Sequence, residues 1–243
     1  MGRAHEVRAA SMAKTAARKS KVNAKYSKII YMAAKEGLPD PDHNPALKSA
    51  IDRAKKEDVP SDVINRALEK AKGGDVDSYT ATRYEGFGPN NSLFIVECLT
   101  DNPNRTYSEV RAIFGKNGAK LGETGSVTYM FNNYAIFEVN NMDEEEVMML
   151  LLEADCNVID IETVEDVVKI TADATEYGKV RNTFYSVNAD MEFVRDEVTW
   201  VPMTNTTLKT EADLSIYNKL LDCLDDVDDV QTVYHNITNE REE

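Results

Sequence analysis

Five basic residues near the start of the chain, Lys14, Arg18, Lys21, Lys25 and Lys28, follow one another at spacings of 4, 3, 4 and 3. At helical pitch this places them on one face, a row of cations matched to an array of phosphates. Met12, Val22, Tyr26, Ile29, Ile30 and Ala33 fall on the other side and predict an apolar seam against the rest of the fold. Arg3, Arg8 and Lys19 add to the segment, whose first 35 residues hold nine Lys/Arg and one acid, Glu6. A solvated helix face is the competing explanation, because Lys and Arg are common on exposed helices. The near absence of acidic partners at i,i+4 favours the binding reading. Ser20 and Asn23 leave open a division into two shorter helices.

The charge of the rest is opposite in sign. Residues 1–72 carry 16 basic and 9 acidic side chains and residues 73–243 carry 12 and 34, so the chain as a whole stands at −15. A basic head on an acidic body predicts a polyanionic partner gripped at one end and repelled elsewhere. Hydrophobic content of 42% and charged content of 29% are those of a globular protein. No apolar run exceeds six residues, the length of Val147 to Leu152, far below the ~20 that span a bilayer. No secretory h-region follows Met1, and the expected location is the cytoplasm.

Few groups suit catalysis. Cys98, Cys156 and Cys223 are far apart in apolar segments and read as reduced core thiols. His5, His43 and His235 lack metal-ligand spacing. The acidic run Asp222, Asp225, Asp226, Asp228 and Asp229 lacks EF-hand spacing and reads as a solvated helix end. With no nucleophile set and no Walker motif, the expectation is a non-enzyme with no cofactor, no metal and no small-molecule substrate.

These residues need elements to position them. Residues 1–77 predict a helical head: a first segment closed by Gly37, a helix capped by Asn44 with Pro45 at its first position, and a third helix capped by Ser61. Gly73-Gly74 predicts a joint on which the head could swing. Beyond it, strands are expected at Leu93 to Leu99, Ser126 to Phe131 and Glu197 to Pro202, with helices at Tyr107 to Lys116 and Glu211 to Leu224 and a last strand at Val230 to His235. Residues 133–195 spell β-α-β-β-α-β, the ferredoxin-like split unit. The fold class is α+β in three domains: the head, a discontinuous domain of residues 78–132 and 196–243, and an inserted ferredoxin-like domain of residues 133–195. The flanking elements predict a ferredoxin-like order for the discontinuous domain too.

Arg83-Tyr84-Glu85-Gly86-Phe87-Gly88-Pro89, Cys98 to Thr106, Gly122 to Phe131 and Asp40 to Leu47 together resemble the YebC/PmpR family over nearly the whole chain. The resemblance implies a non-enzymatic, nucleic-acid-binding regulator of gene expression. Members are described as DNA-binding transcriptional regulators and as ribosomal translation factors that relieve stalling, and the second is the leading expectation. The opening Gly2 to Val7 and Asn90-Asn91 depart from the commonest family pattern.

Within these motifs, Arg83, Asn104, Arg105, Thr124 and Ser126 are candidate anion or partner contacts. Arg105, at a helix start, faces the positive dipole end and would suit an external phosphate; an internal bridge to Asp101 or Glu109 is the competing reading. The Gly122 to Ser126 loop could form an anion nest beside it. Thr106 or Asn104 is expected to cap the helix. Tyr84 and Phe87 are expected to pack where head meets body rather than to stack bases.

Overall fold

The computed structural model describes residues 3–73, 79–189 and 191–239; within the first helix, the side chains of residues 3–11, 13, 14 and 17 lie outside that description. The chain forms α1 (Arg3–Glu36), α2 (Pro45–Lys56), α3 (Ser61–Lys72), β1 (Thr80–Phe87), β2 (Leu93–Thr100), α4 (Pro103–Lys116) and β3 (Lys120–Leu121). It continues as β4 (Phe131–Val139), α5 (Glu144–Glu153), β5 (Val158–Val164), β6 (Val167–Asp173), α6 (Tyr177–Val187), β7 (Phe193–Pro202), α7 (Glu211–Asp225) and β8 (Val230–His235). The described residues form two compact units, one within residues 3–124 and 208–233, the other within residues 125–207 and 234–239.

α1 is one helix of 34 residues, so neither Ser20 nor Asn23 divides it. Its alanines and straight-chain Lys and Arg favour a long helix. Its second half joins α2 and α3 in a bundle, with Ile30, Tyr31 and Ala34 buried against Leu47, Ile51 and Ala54 of α2 and Ile64, Ala67 and Ala71 of α3. Val22, Tyr26, Ile29 and Ala33 pack partly against that core, whereas Met12, expected on the seam, is exposed.

Asn44 holds two helix ends. Its Oδ1 accepts from the Leu47 N–H at 3.1 Å, capping α2, while its Nδ2 donates to the carbonyls of Ala33 and Leu38 at 2.8 Å each. Gly37 makes room for it, since a Cβ there would come within 2.5 Å of Asn44 Nδ2. The start of α3 differs from expectation: Pro60 occupies the cap position and Ser61 is the first helical residue. The extended backbone of Pro60 ends the preceding segment, and Asp62 supplies negative charge in the first turn.

The first unit holds a sheet in the order β3-β1-β2-β8, and the other sheet runs β5-β6-β4-β7. The α+β class is as expected. The elements of the second sheet follow the split β-α-β-β-α-β order. Those of the first run β-β-α-β and then α7-β8, which corrects the ferredoxin-like order expected there.

Three segments explain the difference. β1, antiparallel to β2 from Thr80↔Thr100 to Phe87↔Leu93, contains charges and a glycine that read as a connection. Gly86 is required by packing, because a Cβ there would lie 2.3 Å from the Phe114 ring. The expected strand Ser126–Phe131 is a loop with a 3-10 turn at Thr128–Met130, and Phe131 opens β4. Glu197 to Pro202 is the second half of β7, paired with β4 from Phe131↔Pro202 to Ile136↔Glu197, and so belongs to the second sheet.

The charged Arg195-Asp196 reads as a break between strands but lies inside β7 because Asp196 is neutralised there. Arg181 Nε donates to Asp196 Oδ2 at 2.9 Å with both side chains buried, and Tyr177 Oη donates to the same oxygen at 3.2 Å.

Two substitutions test this packing by urea unfolding of the full chain. Asn44→Ala is expected to cost about 1–2 kcal/mol, as loss of a helix cap does. Asp196→Ala is expected to cost about 3–5 kcal/mol, because it strands a buried guanidinium. Wild-type stability in either variant would contradict the assignments.

Candidate nucleic-acid interface

α2 and α3 have 12 residues each, and α1 has 34. Among the described residues the bundle core uses α1 only from Val22 onward. The preceding segment, residues 3–20, extends about 27 Å at 1.5 Å per residue. It carries Arg3, Arg8, Lys14, Arg18 and Lys19 against one acid, Glu6. Arg18 and Lys19 are exposed, and neither meets an acid among the described residues. The side chains of Arg3, Arg8 and Lys14 lie outside the described residues.

The rest of the ridge is turned inward. Lys21 Nζ donates to the Asp225 carbonyl at 2.9 Å and pairs with Asp226. Lys25 Nζ donates to the Gln231 carbonyl. Lys28 Nζ donates to the Asp228 carbonyl at 3.0 Å and to Asp229 Oδ1 at 2.8 Å, and sits 5.6 Å from the Tyr79 ring centroid. A ridge expected to be wholly outward is therefore split at about Lys21. In the acidic run Asp222, Asp225, Asp226 and Asp228 are exposed, as expected of a solvated helix end, and only Asp229 departs from that reading, buried against Lys28. The lysine contacts also tie α1 to the first sheet, against the expected swing; of the joint, residues 74–78 lie outside the described residues.

The three contacts differ in weight. Lys21 and Asp226 are 37% and 78% exposed in their side chains, and such surface pairs contribute about 0–1 kcal/mol. Lys28 and Asp229 are 15% and 7% exposed, so separating them would strand charge away from water.

Asp229 collects further partners. Its Oδ2 accepts from Thr100 Oγ1 at 2.9 Å, Thr106 Oγ1 at 2.8 Å and Arg105 Nη2 at 2.7 Å, and its carbonyl accepts from the Leu99 N–H at 2.8 Å. Burial alone would raise the pKa of this carboxyl. The hydrogen bonds from Lys28, Arg105, Thr106 and Thr100 outweigh it and hold the group well below the usual carboxylate range.

Arg105 also pairs with Asp101 at 2.8 Å, so its charge is met internally, one of the two alternatives open in the sequence. The cap of α4 is Asn102, whose Oδ1 accepts from the Arg105 N–H at 3.1 Å, rather than Thr106 or Asn104. Asn104 is exposed, and its carbonyl accepts from Ser108 Oγ at 2.8 Å.

The other candidates do not gather into one site. Arg83 lies opposite Glu97 on β2, 3.5 Å away. Thr124 is exposed; Ser126 Oγ is buried with no hydrogen-bond partner among the described residues. Tyr84 packs within its own body, its Oη donating to the Pro103 carbonyl at 3.2 Å and its ring 6.0 Å from that of Tyr107, rather than against the head. Burial pushes the Cys98 thiol up to about 12, the state of an inert core residue. Sequence reasoning missed Asp229 because its partner Lys28 is 201 residues away. The only local signal was its place at the end of an acidic run just before a strand.

Comparisons with known proteins accord with this layout. Residues 3–74 match the TACO1/YebC protein N-terminal domain, and residues 79–237 match the TACO1/YebC second and third domain. A relative from Pseudoalteromonas atlantica, named a probable transcriptional regulatory protein, is 48% identical over all of this chain and 99% of its own. One of the same name from Acholeplasma laidlawii is 48% identical over the whole of both chains. The crystal structure of a conserved hypothetical protein from Aquifex aeolicus aligns with a TM-score of 0.71 at 31% identity, covering 93% of this chain and 92% of that one.

Asp229→Asn is expected to lower stability at pH 7 by about 3 kcal/mol, with the half-buried Lys28 left without a carboxylate while Arg105 keeps only Asp101. A depressed carboxyl pKa contributes stability that is present above the unfolded value and lost as pH falls through the folded one. The gap between wild type and variant should therefore stay level from pH 8 to about 5 and close only below about pH 4. Urea titrations across that range measure it; a gap that closes above pH 6 would contradict the geometry.

Proposed function

The chain belongs to the TACO1/YebC family, and from that membership we propose that it is a non-enzymatic, nucleic-acid-binding regulator of gene expression that acts on ribosomal RNA or tRNA as a translation factor relieving stalling. The observation that carries the reading is the first half of α1, a helical segment with five Lys/Arg and one acid that lies ahead of the bundle core. Such a segment grips phosphates and releases counterions, while the acidic remainder disfavours nucleic acid elsewhere.

RNA is preferred to duplex DNA on the chemistry of this segment. Residues 3–20 contain neither Asn nor Gln, the side chains that read adenine in the major groove. Their cations suit backbone phosphates, which fix position without reading sequence. The second reading, a DNA-binding transcriptional regulator, is supported by the name its relatives carry and by Arg18, an exposed residue of the type that reads guanine.

Crosslinking in cells followed by sequencing of the bound nucleic acid separates them. Enrichment of rRNA or tRNA is expected, falling at least tenfold in the Arg18→Glu/Lys19→Glu variant. Promoter DNA with no rRNA or tRNA signal would overturn the proposal in favour of the second reading.

A further inference from the structure

α5 is apolar on two sides. Val147 and Leu151 are buried in the core beneath the second sheet. Met148, Met149 and Leu152 are 49%, 56% and 71% exposed, and their spacing sets them on one outer face. Beside α5 runs β5, the edge strand of its sheet. Thr163 Oγ1 donates to Glu144 Oε2 at 3.0 Å, joining the end of the strand to the start of the helix, and the Cys156 N–H donates to the Leu151 carbonyl at 2.9 Å at the other end. One exposed aliphatic residue needs no explanation, but three large ones on one face of a ten-residue helix mark an interaction surface.

The charge around them is of one sign. Residues 140–168 contain ten Asp/Glu and no Lys or Arg. The cations that approach are already engaged, Lys169 with Glu162 at 2.7 Å and Lys179 with the Asp155 carbonyl. Nucleic acid and anionic lipid are both repelled by such a surface.

The geometry points to a docking surface on the outer face of α5 for an amphipathic basic helix of a partner protein, its aliphatic side chains on Met148, Met149 and Leu152 and its Lys or Arg toward the surrounding carboxylates. Helical spacing of the apolar residues suits a helix laid along α5, and methionine side chains adapt to varied aliphatic surfaces. The surface lies outside α1, so it stands or falls independently of the RNA-binding proposal.

The test uses the full chain and a labelled 18-residue Lys/Leu peptide with its leucines on one helical face. A scrambled isomer of the same composition is the control, and fluorescence anisotropy is the readout. Micromolar binding of the amphipathic peptide is expected, at least tenfold weaker for the scrambled isomer and for the Met149→Ser/Leu152→Ser variant. Glu145→Lys should weaken it further at low salt. These positions are exposed, so thermal unfolding and RNA binding should not change.

Equal binding by wild type and the serine variant, or by the two peptides, would overturn the proposal. So would a concentration-dependent dimer in sedimentation that the serine variant abolishes, because the surface would then belong to a second copy of the chain.

Discussion

The first unit depends on one buried carboxylate. Asp229, in the short connection between α7 and β8, gathers Lys28 from α1, Thr100 from the end of β2 and Arg105 and Thr106 from the first turn of α4. Three segments distant in sequence, α1, the β2–α4 corner and the α7–β8 connection, are thereby fixed to one point. A buried anion with two cations and two hydroxyls is tolerated because its lone pairs are met, and removing any cation exposes the desolvation cost of those that remain. The motif Asp101 to Thr106 thus acts as a structural clasp: Asp101 and Asp229 share Arg105, Asn102 caps α4, and Thr106 reaches back to the strand.

Of the ridge cations that clasp engages Lys28, and the segment around it engages Lys21 and Lys25. A basic ridge at 4-3-4-3 spacing is continuous in sequence but has two environments in space. Lys21, Lys25 and Lys28 meet carbonyls and carboxylates of the segment from Asp225 to Gln231, where an incoming phosphate would have to displace them. Arg18 and Lys19, one turn earlier, are exposed. Part of the acidic character of the first unit thus neutralises the inner ridge, at Asp226 and Asp229.

Much of this was legible in the sequence. Helix spacing located the three head helices, Asn44-Pro45 specified the start of α2, and the split β-α-β-β-α-β order of the second sheet follows from its apolar pattern. What escaped was set by contacts distant along the chain. β1 looks like a loop because Gly86 answers to Phe114, 28 residues later in sequence. β7 looks like two strands because Arg195-Asp196 reads as solvated until Arg181 is placed beside Asp196. The ridge looks uniform until the acidic segment before β8 is brought to it. No local pattern encodes a partner 200 residues away, so spacing revealed which residues share a face but not what the face meets.

The claim that phosphates are held by the outer half of α1 and not by its docked lysines is tested most directly by the salt dependence of RNA binding. With Arg3, Arg8, Lys14, Arg18 and Lys19 engaged, log K against log salt should slope by about −3.5 to −4.5, at roughly 0.7 to 0.9 per phosphate contact. Arg18→Ala/Lys19→Ala should reduce the magnitude of that slope by about 1.4 to 1.8, while Lys21→Ala leaves it within roughly 0.3 of wild type. A slope unmoved by the Arg18/Lys19 pair, or reduced by a full contact in Lys21→Ala, would contradict the account.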